Sequence, residues 1–373
     1  MRIGIDVYQT CYQYGGIARY VRALVTAMAA VSPADEFVLT SNSFRALEVR
    51  WRLAVPNARH VNIRVPRRLM QACWDRLGWP PIEAFTGPLD VFHGTHFVLP
   101  PARAAHAVLT VHDLNFLRNP QYFLDRPLNV WGHQRELPVA LSRAEAVIAV
   151  SDHTRKDLIE LMGVPSERIR VIPEGVEPHF FVSVGDPRLE ATKTRLGLDR
   201  PYLVFLVGTP EPRKNLLRTV EAARRAAADL PLVIIGPQEP IRTLLEGNTR
   251  GVILVGSLAD EDLPLVLHGA EIALYPSLAE GFGLPAVEAM AAGVPLITSD
   301  RSSLPEVVGK AAVLVDPESV EEMAHAIRSL LGDTERRAQL VEQGLARARE
   351  LSWERAAHQV LCLYRELASP GSC

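Results

Sequence analysis

The sequence predicts an α/β protein made of two doubly wound parallel sheets in tandem, and three observations carry that reading. At 373 residues the chain exceeds one ordinary core and suits two domains of ordinary size. Short apolar runs of the kind buried inside parallel sheets recur along it, separated by stretches with helical periodicity. These runs fall into two series with a break between them.

The first series is "RIGIDV", "EFVLTS", "HVNIRV", "DVFHG", "AVLTVHD", "AVIAVS" and "IRVIPEG". The second begins at "YLVFLVGTP" and continues through "LPLVIIGP", "GVILVGS", "EIALYPS", "VPLITSD" and "AAVLVDP", alternating with helical stretches such as 215–229 and 260–268. Residues 178–200 between them lose the strand rhythm and carry Pro and Gly, as a linker does. The expected domains are therefore 1–180 and 199–351. Helical segments near 318–331, 333–350 and 352–367 close the chain, the last opening with Ser352 as an N-cap. In open parallel sheets ligands bind beyond the carboxyl ends of strands, so site residues are sought just after strands, at a cleft between the two domains.

The balance of 40 basic against 43 acidic residues gives a net charge of −3, with no long block of either sign, which argues against a nucleic-acid-binding tail. Four cysteines at 11, 73, 362 and 373 have neither metal-ligand spacing nor the density of a secreted disulfide scaffold, so reduced thiols in a cytoplasmic protein are expected. The opening "MRIGIDVYQT" reads as a strand rather than a signal peptide, and no apolar run approaches membrane-spanning length.

In "VGTPEPRKNLLRTV" a strand ends at Gly208, and Arg213 and Lys214 stand ahead of a helix starting near Asn215. Two cations beside a helix N-terminus make a phosphate site, because charge and dipole add. The competing reading is a solvated basic pair. In "SLAEGFGLPAVEAMAAGVPLITSD", Glu280 follows a strand, Gly281-Phe282-Gly283 forms a turn, and Pro285 to Ala292 reads as a short helix with Glu288 in its first turn. Glycines let backbone amides approach a ligand, and two carboxylates can accept hydrogen bonds from sugar hydroxyls. A solvated Glu288 favoured by the helix dipole is the bland alternative. Gly15 and Gly16 in "QYGGIARYVRAL" can bring amides to phosphates, or serve only as a turn. His112 and Asp113 follow an apolar strand; a hydrogen-bonding imidazole and a satisfied core histidine are both open, while Asp113 is read as orienting the loop.

Other constellations are read as structural. His93 and His96 lack acidic or cysteine neighbours for a metal. The acids of "ADEDLP" are read as a helix first turn, and Ser151-Asp152-His153 as a helix cap rather than a triad. Segment 64–79 mixes Arg64, Arg67, Arg68 and Arg76 with Leu69, Met70, Trp74, Leu77 and Trp79. It reads first as a packed helix with a basic face, and second as a contact with an anionic membrane.

Gly208-Thr209 with Glu211-Pro212-Arg213-Lys214-Asn215, and Glu280-Gly281-Phe282-Gly283-Leu284-Pro285 with Glu288, resemble the signature of retaining glycosyltransferases of family four. "YGGIARY", "VHDL", "VSDHTRKDL" and "SLPEVVGKAAVLVDP" match in order, so the resemblance covers nearly the whole chain. It implies the GT-B architecture: two Rossmann-like domains with an interdomain cleft, an N-terminal acceptor domain to which a final helix (352–373) returns, and a C-terminal nucleotide-sugar domain. It implies that Arg213 and Lys214 contact the diphosphate and Glu288 the ribose, and that Glu280 and His112 contact the transferred sugar. Amides of Phe282, Gly283 and Leu284 would complete the sugar site, and Gly15 and Gly16 would reach the phosphates. Many members carry an arginine where this chain has Thr209, which places more weight on Arg213.

The implied reaction is metal-free hexosyl transfer, with no cofactor beyond the donor. GDP-mannose is favoured over UDP-sugars, and the acceptor is a saccharide or lipid-linked hydroxyl. The expected partners are these substrates, without nucleic acid, and the expected location is cytoplasmic with peripheral contact at the inner membrane face through 64–79. A nucleotide-sugar 2-epimerase and a non-catalytic nucleotide-sugar-binding protein are the alternatives.

Overall fold

The computed structural model describes residues 1–12, 15–42, 56–123, 127–208 and 210–369. Thr209, the position that departs from the family pattern, lies outside them. The chain divides into two compact units, one of residues 1–120, 124–174 and 353–373, the other of 121–123 and 175–352.

In the first unit, seven of the expected runs form β1 (Arg2–Asp6), β2 (Glu36–Asn42), β3 (Ala58–Ile63), β4 (Val91–Gly94), β5 (His106–Val111), β6 (Ala146–Ala149) and β7 (Ile169–Val171). Their order is β3-β2-β1-β4-β5-β6-β7, with every pairing parallel. Ile3, Ile5, Val91, Val108 and Leu109 are fully buried, as continuous apolar runs in a sheet covered on both faces must be. Helix Trp353–Ala368 belongs to this unit and packs on helix Gly16–Val31. A buried polar chain ties it to the sheet. The Tyr364 hydroxyl lies 2.5 Å from His93 Nδ1, His93 Nε2 lies 2.7 Å from Thr110 Oγ1, and the Tyr20 hydroxyl lies 3.0 Å from the same Thr110 oxygen. Burial, with His112 nearby, pushes His93 down to about 3. The neutral ring can then donate on one side and accept on the other, which is the structural role expected for it.

The second unit contains β8 (Leu203–Leu206), β9 (Leu232–Ile235), β10 (Val252–Gly256), β11 (Ile272–Tyr275), β12 (Leu296–Ser299) and β13 (Val313–Val315). They are ordered β10-β9-β8-β11-β12-β13, again all parallel. Each sheet reverses its winding once, between β1 and β4 in the first and between β8 and β11 in the second. At such a switch point the loops leaving two adjacent strands turn to opposite faces and leave a crevice.

Some boundaries differ from the sequence reading. Residues 178–200 contain helix Arg188–Leu196, with Thr192 and Leu198 buried, and belong to the second unit. Helix Leu263–His268 starts after the acids of "ADEDLP", so these precede its first turn, and Asp262 pairs with Arg195 at 2.5 Å. Ser151 does cap its helix, accepting from the Thr154 amide at 3.0 Å. Cys11 and Cys73 are free thiols, and Cys373 lies outside the described residues. No helix among the described residues is long and apolar enough to cross a membrane.

Candidate functional site

The loops that leave β8 and β11 meet at the switch point of the second sheet. After β8 the chain turns through Gly208, at φ 59°, and forms a single 3₁₀ turn, Pro212–Lys214. Asn215 follows in the left-handed region at φ 61°, and helix Leu216–Ala226 begins. Asparagine tolerates that conformation better than most residues. Here its side-chain amide also fixes the turn, donating to the Pro276 carbonyl at 3.0 Å and the Pro317 carbonyl at 2.6 Å. Thus the turn carrying the cations is fastened to the loops after β11 and β13.

After β11 the backbone amide of Leu278 donates to the Arg213 carbonyl at 2.7 Å. Glu280 then enters between the two cations. Its Oε2 accepts from Arg213 Nη1 at 2.7 Å, and its Oε1 accepts from Lys214 Nζ at 2.7 Å and from the Tyr275 hydroxyl at 2.7 Å. Lys214 Nζ also donates to the Tyr275 oxygen at 2.9 Å, and Arg213 Nε donates to Glu211 Oε2 at 2.7 Å. Two positive and two negative groups therefore balance. The side chains of Arg213, Lys214 and Glu280 are 16%, 12% and 7% exposed, so this is no solvated surface pair.

Electrostatics within the cluster follow from that burial. Burial alone would push the Glu280 carboxyl up, but the charges of Arg213 and Lys214 and the hydrogen bonds from Lys214 and Tyr275 bring it down to about 2. Burial and the adjacent Arg213 weaken the hold of Lys214 on its proton, and Glu280 and Glu211 offset only part of this. Burial, with Glu280 alongside, pushes the Tyr275 phenol well up, so it remains a donor.

Beyond Glu280 the turn is held from behind. The Glu280 amide donates to Ser302 Oγ at 3.0 Å, and Ser303 Oγ donates to the carbonyls of Glu280 and Phe282 at 3.1 and 3.0 Å. Gly283 sits at φ 103°, and a Cβ there would meet Leu304 Cδ2 at 2.6 Å, so only glycine fits. Helix Leu284–Ala291 follows directly. Because Leu284 is already helical, Glu288 is the fifth residue rather than a first-turn residue, and it is 2% exposed. The dipole-favoured solvated reading of Glu288 is thereby set aside.

The other sequence-selected residues lie in the first unit. His112 is buried, with Nδ1 3.2 Å from Glu174 Oε1 and Nε2 3.0 Å from the Thr95 carbonyl, so both ring nitrogens face oxygen acceptors. Its ring is engaged inside the unit, and a sugar contact requires exchanging one of these partners. Asp113 Oδ1 accepts from the Asn115 amide at 2.9 Å and orients the loop, as expected. Gly15 is exposed at φ 154° with open space where a side chain would stand, and Gly16 opens helix Gly16–Val31. Among the described residues no group of three His, Cys, Asp or Glu side chains could hold a metal ion.

The sequence assigned no role to Tyr275, Ser302, Ser303 or Glu174, and named Glu211 and Asn215 only as members of the signature. A polar residue at the last position of an otherwise apolar strand, as Tyr275 is in "IALY", was the available signal for one of them.

Comparison with known proteins fits this geometry. Residues 14–180 match the family model described as Glycosyltransferase Family 4, and residues 190–347 match Glycosyl transferases group 1. O-antigen chain mannosyltransferase B of Escherichia coli is 33% identical over 289 residues, covering 74% of this chain and 74% of that protein. The serotype-specific mannosyltransferase WbdA of Escherichia coli is 29% identical over 67% of this chain, which spans only 32% of that larger protein. A sucrose-phosphate synthase from Thermosynechococcus elongatus has the same fold, with a TM-score of 0.78, 24% identity and 98% of each chain covered. With its two parallel α/β sheets of seven and six strands and these relatives, the chain belongs to the family-four glycosyltransferases of GT-B fold.

Proposed function

We propose that this enzyme moves a hexose, with mannose favoured, from a nucleotide-sugar to a hydroxyl of a saccharide or lipid-linked acceptor. Transfer proceeds with retention of anomeric configuration and needs neither a divalent cation nor a separate cofactor. The observation that carries the reading is the Glu280-centred cluster at the switch point after β8 and β11. Likeness to mannosyltransferases favours GDP-mannose over UDP-sugars as donor.

Breaking the bond between the anomeric carbon and the diphosphate oxygen puts negative charge on the leaving group. A guanidinium and an ammonium fixed in a poorly solvated pocket stabilise that charge electrostatically, which is the part a metal ion plays elsewhere. An arriving diphosphate replaces Glu280 as counter-ion to Arg213 and Lys214, and the released carboxylate turns to hydroxyls of the transferred sugar. Glu288 takes the ribose hydroxyls, and the amides of Phe282, Gly283 and Leu284 border the sugar.

A covalent route would use Glu280 as nucleophile. In the arrangement proposed here its oxygens, once released from the cations, are taken up by hydroxyls of the transferred sugar instead. In the route proposed, the acceptor oxygen bonds to the anomeric carbon on the face the diphosphate leaves, and the departing phosphate oxygen takes the acceptor's proton. Incubation with GDP-mannose and methyl α-mannoside, followed by proton NMR, should show an α-linked product at a rate that EDTA changes less than about twofold. A β-linked product, a mannosylated Glu280 in the mass spectrum, or an epimerised nucleotide-sugar formed without acceptor would contradict this mechanism.

A lipid-linked acceptor is supported by helix Arg67–Leu77. Met70 and Trp74 are buried beneath it, while Leu69, Leu77 and Trp79 are 57%, 71% and 61% exposed beside exposed Arg64, Arg68 and Arg76. Co-sedimentation with anionic vesicles should fall severalfold in Arg68→Glu/Arg76→Glu; equal sedimentation of both proteins would remove the membrane contact from the account.

A further inference from the structure

In the first unit the chain leaving four adjacent strands, β4 to β7, converges on one imidazole. His112 stands directly after β5, and its Nε2 lies 3.0 Å from the carbonyl of Thr95, the first residue after β4. The helix after β6 supplies Thr154, whose Oγ1 donates to the His112 carbonyl at 3.1 Å. From beyond β7 comes Glu174, with Oε1 3.2 Å from His112 Nδ1. The ring of Tyr20, on helix Gly16–Val31, meets the imidazole edge-on, with centroids 4.7 Å apart and planes at 88°. Backbone, plane and both nitrogens of this histidine are therefore held.

The hydrogen-bonding roles around the ring are constrained. A carbonyl only accepts, an ionised carboxylate only accepts, and a neutral imidazole has a single N–H. One N–H cannot serve both oxygens, so a second proton lies between Nδ1 and Oε1. Imidazole is the stronger base of the two, which gives that proton to the ring. Burial agrees with this pairing: Glu174 is 6% exposed, and among the described residues it hydrogen-bonds no side chain but His112. A buried carboxylate needs a counter-charge, and the doubly protonated ring provides it.

The other titratable groups around the ring do not compete for this proton. Burial pushes the Tyr20 phenol up, and the Glu174 charge adds to it against the hydrogen bond with Thr110. His93 and His96 are brought down by burial first and by the charge of His112 next, so both stay neutral. The Asp113 carboxylate is turned to the Asn115 amide. To reach a sugar hydroxyl the ring must give up one oxygen. Releasing Glu174 strands a buried carboxylate, whereas releasing Thr95 frees a neutral carbonyl, which costs less.

We infer that Glu174 is a positioning residue for the transfer: it holds Nδ1 of His112 protonated, and Nε2 exchanges the Thr95 carbonyl for a hydroxyl of the transferred sugar. The inference rests on the hexosyl transfer proposed above and adds to it a residue that acts only through His112. A charged ring also donates more strongly than a neutral one.

Long-range proton–nitrogen NMR on protein labelled in its histidine rings, without substrates at pH 7, reads the pair directly, with His112→Gln assigning the signals. Both ring nitrogens of His112 should be protonated in the wild type, and one should be bare in Glu174→Gln. With GDP-mannose and methyl α-mannoside, Glu174→Gln should lower kcat about 10–100-fold while KM for the donor changes less than about threefold. Added to His112→Ala, the same substitution should change kcat less than about threefold, because its effect passes through the missing ring. A bare Nδ1 in the wild type, undiminished kcat in Glu174→Gln, or a full further loss in the double variant would overturn the inference. Hexose transfer by a wild type with bare Nδ1 would sink this inference alone. Absence of transfer by a wild type whose ring carries both protons would sink the transfer reading.

Discussion

Glu280→Gln is expected to lower kcat about 10²–10³-fold and also to lower the melting temperature of the ligand-free enzyme, with GDP restoring most of that loss. The two effects have one cause. Glu280 neutralises Arg213 and Lys214, with each of its oxygens bonded at 2.7 Å. Without the Glu280 charge, Glu211, paired with Arg213 at 2.7 Å, faces two poorly solvated cations. Breaking a buried pair from one side costs about 3–5 kcal/mol.

The carboxyl's own titration gives a similar magnitude. A drop from the ordinary 4.5 of a glutamate to about 2 corresponds to roughly 3 kcal/mol. Because the folded value lies below the unfolded one, this contribution is complete above about pH 4.5 and is lost as pH falls toward 2. Between pH 5 and 9 the group adds no slope. A diphosphate brings its own negative charge to the same cations, so the variant should show a larger GDP-induced shift in melting temperature than the wild type. Unchanged melting together with unchanged turnover would remove Glu280 from the site.

Arg213→Ala combined with Lys214→Ala is expected to reduce kcat/KM for the nucleotide-sugar by about 10³-fold or more, since both charges facing the leaving group disappear. The same change strands Glu280 in a buried place with Tyr275 as its remaining side-chain donor. Burial then dominates, and the carboxyl moves above its unfolded value. The sign of the linkage reverses: stability from this group is present at low pH and lost as pH rises through the new folded value. Urea denaturation at pH 4 and pH 8 should therefore show the double variant losing most against wild type at pH 8. Adding Glu280→Gln to it should recover stability without recovering turnover, a separation that a purely structural cluster would not give. Recovery of activity in that triple variant would show that the cations do not serve the leaving group.

Much of this was legible in the sequence because the signals are local and periodic. Apolar runs such as "RIGIDV" and "EIALYPS" declare buried parallel strands, and a ligand site past the ends of strands follows from winding alone. Arg213, Lys214 and Glu280, each sought just past the end of a strand, lie together although 66 residues separate Lys214 from Glu280. Their direct pairing was not legible. It depends on β8 and β11 being adjacent in the sheet, and strand order is a tertiary fact that no stretch of sequence states. The roles of Tyr275, Asn215 and Glu174 were not legible for the same reason: each meets a partner from another loop, Lys214 for Tyr275, Pro276 and Pro317 for Asn215, and His112 for Glu174. The helix starts failed differently. Leu284 adopts helical geometry ahead of Pro285, while the acids of "ADEDLP" stay outside their helix, because charge and proline signals fix a start only to within a few residues.

In the reaction proposed, a sugar nucleotide is held by its diphosphate on the turn after β8, in place of the Glu280 carboxylate that pairs with Arg213 and Lys214. The most direct measurement is a crystal structure of the enzyme with a non-hydrolysable GDP-mannose analogue. The account expects diphosphate oxygens within hydrogen-bonding distance of Arg213 and Lys214, the ribose at Glu288, and Glu280 released toward the sugar. An analogue bound elsewhere, with Glu280 still bridging both cations, would contradict it.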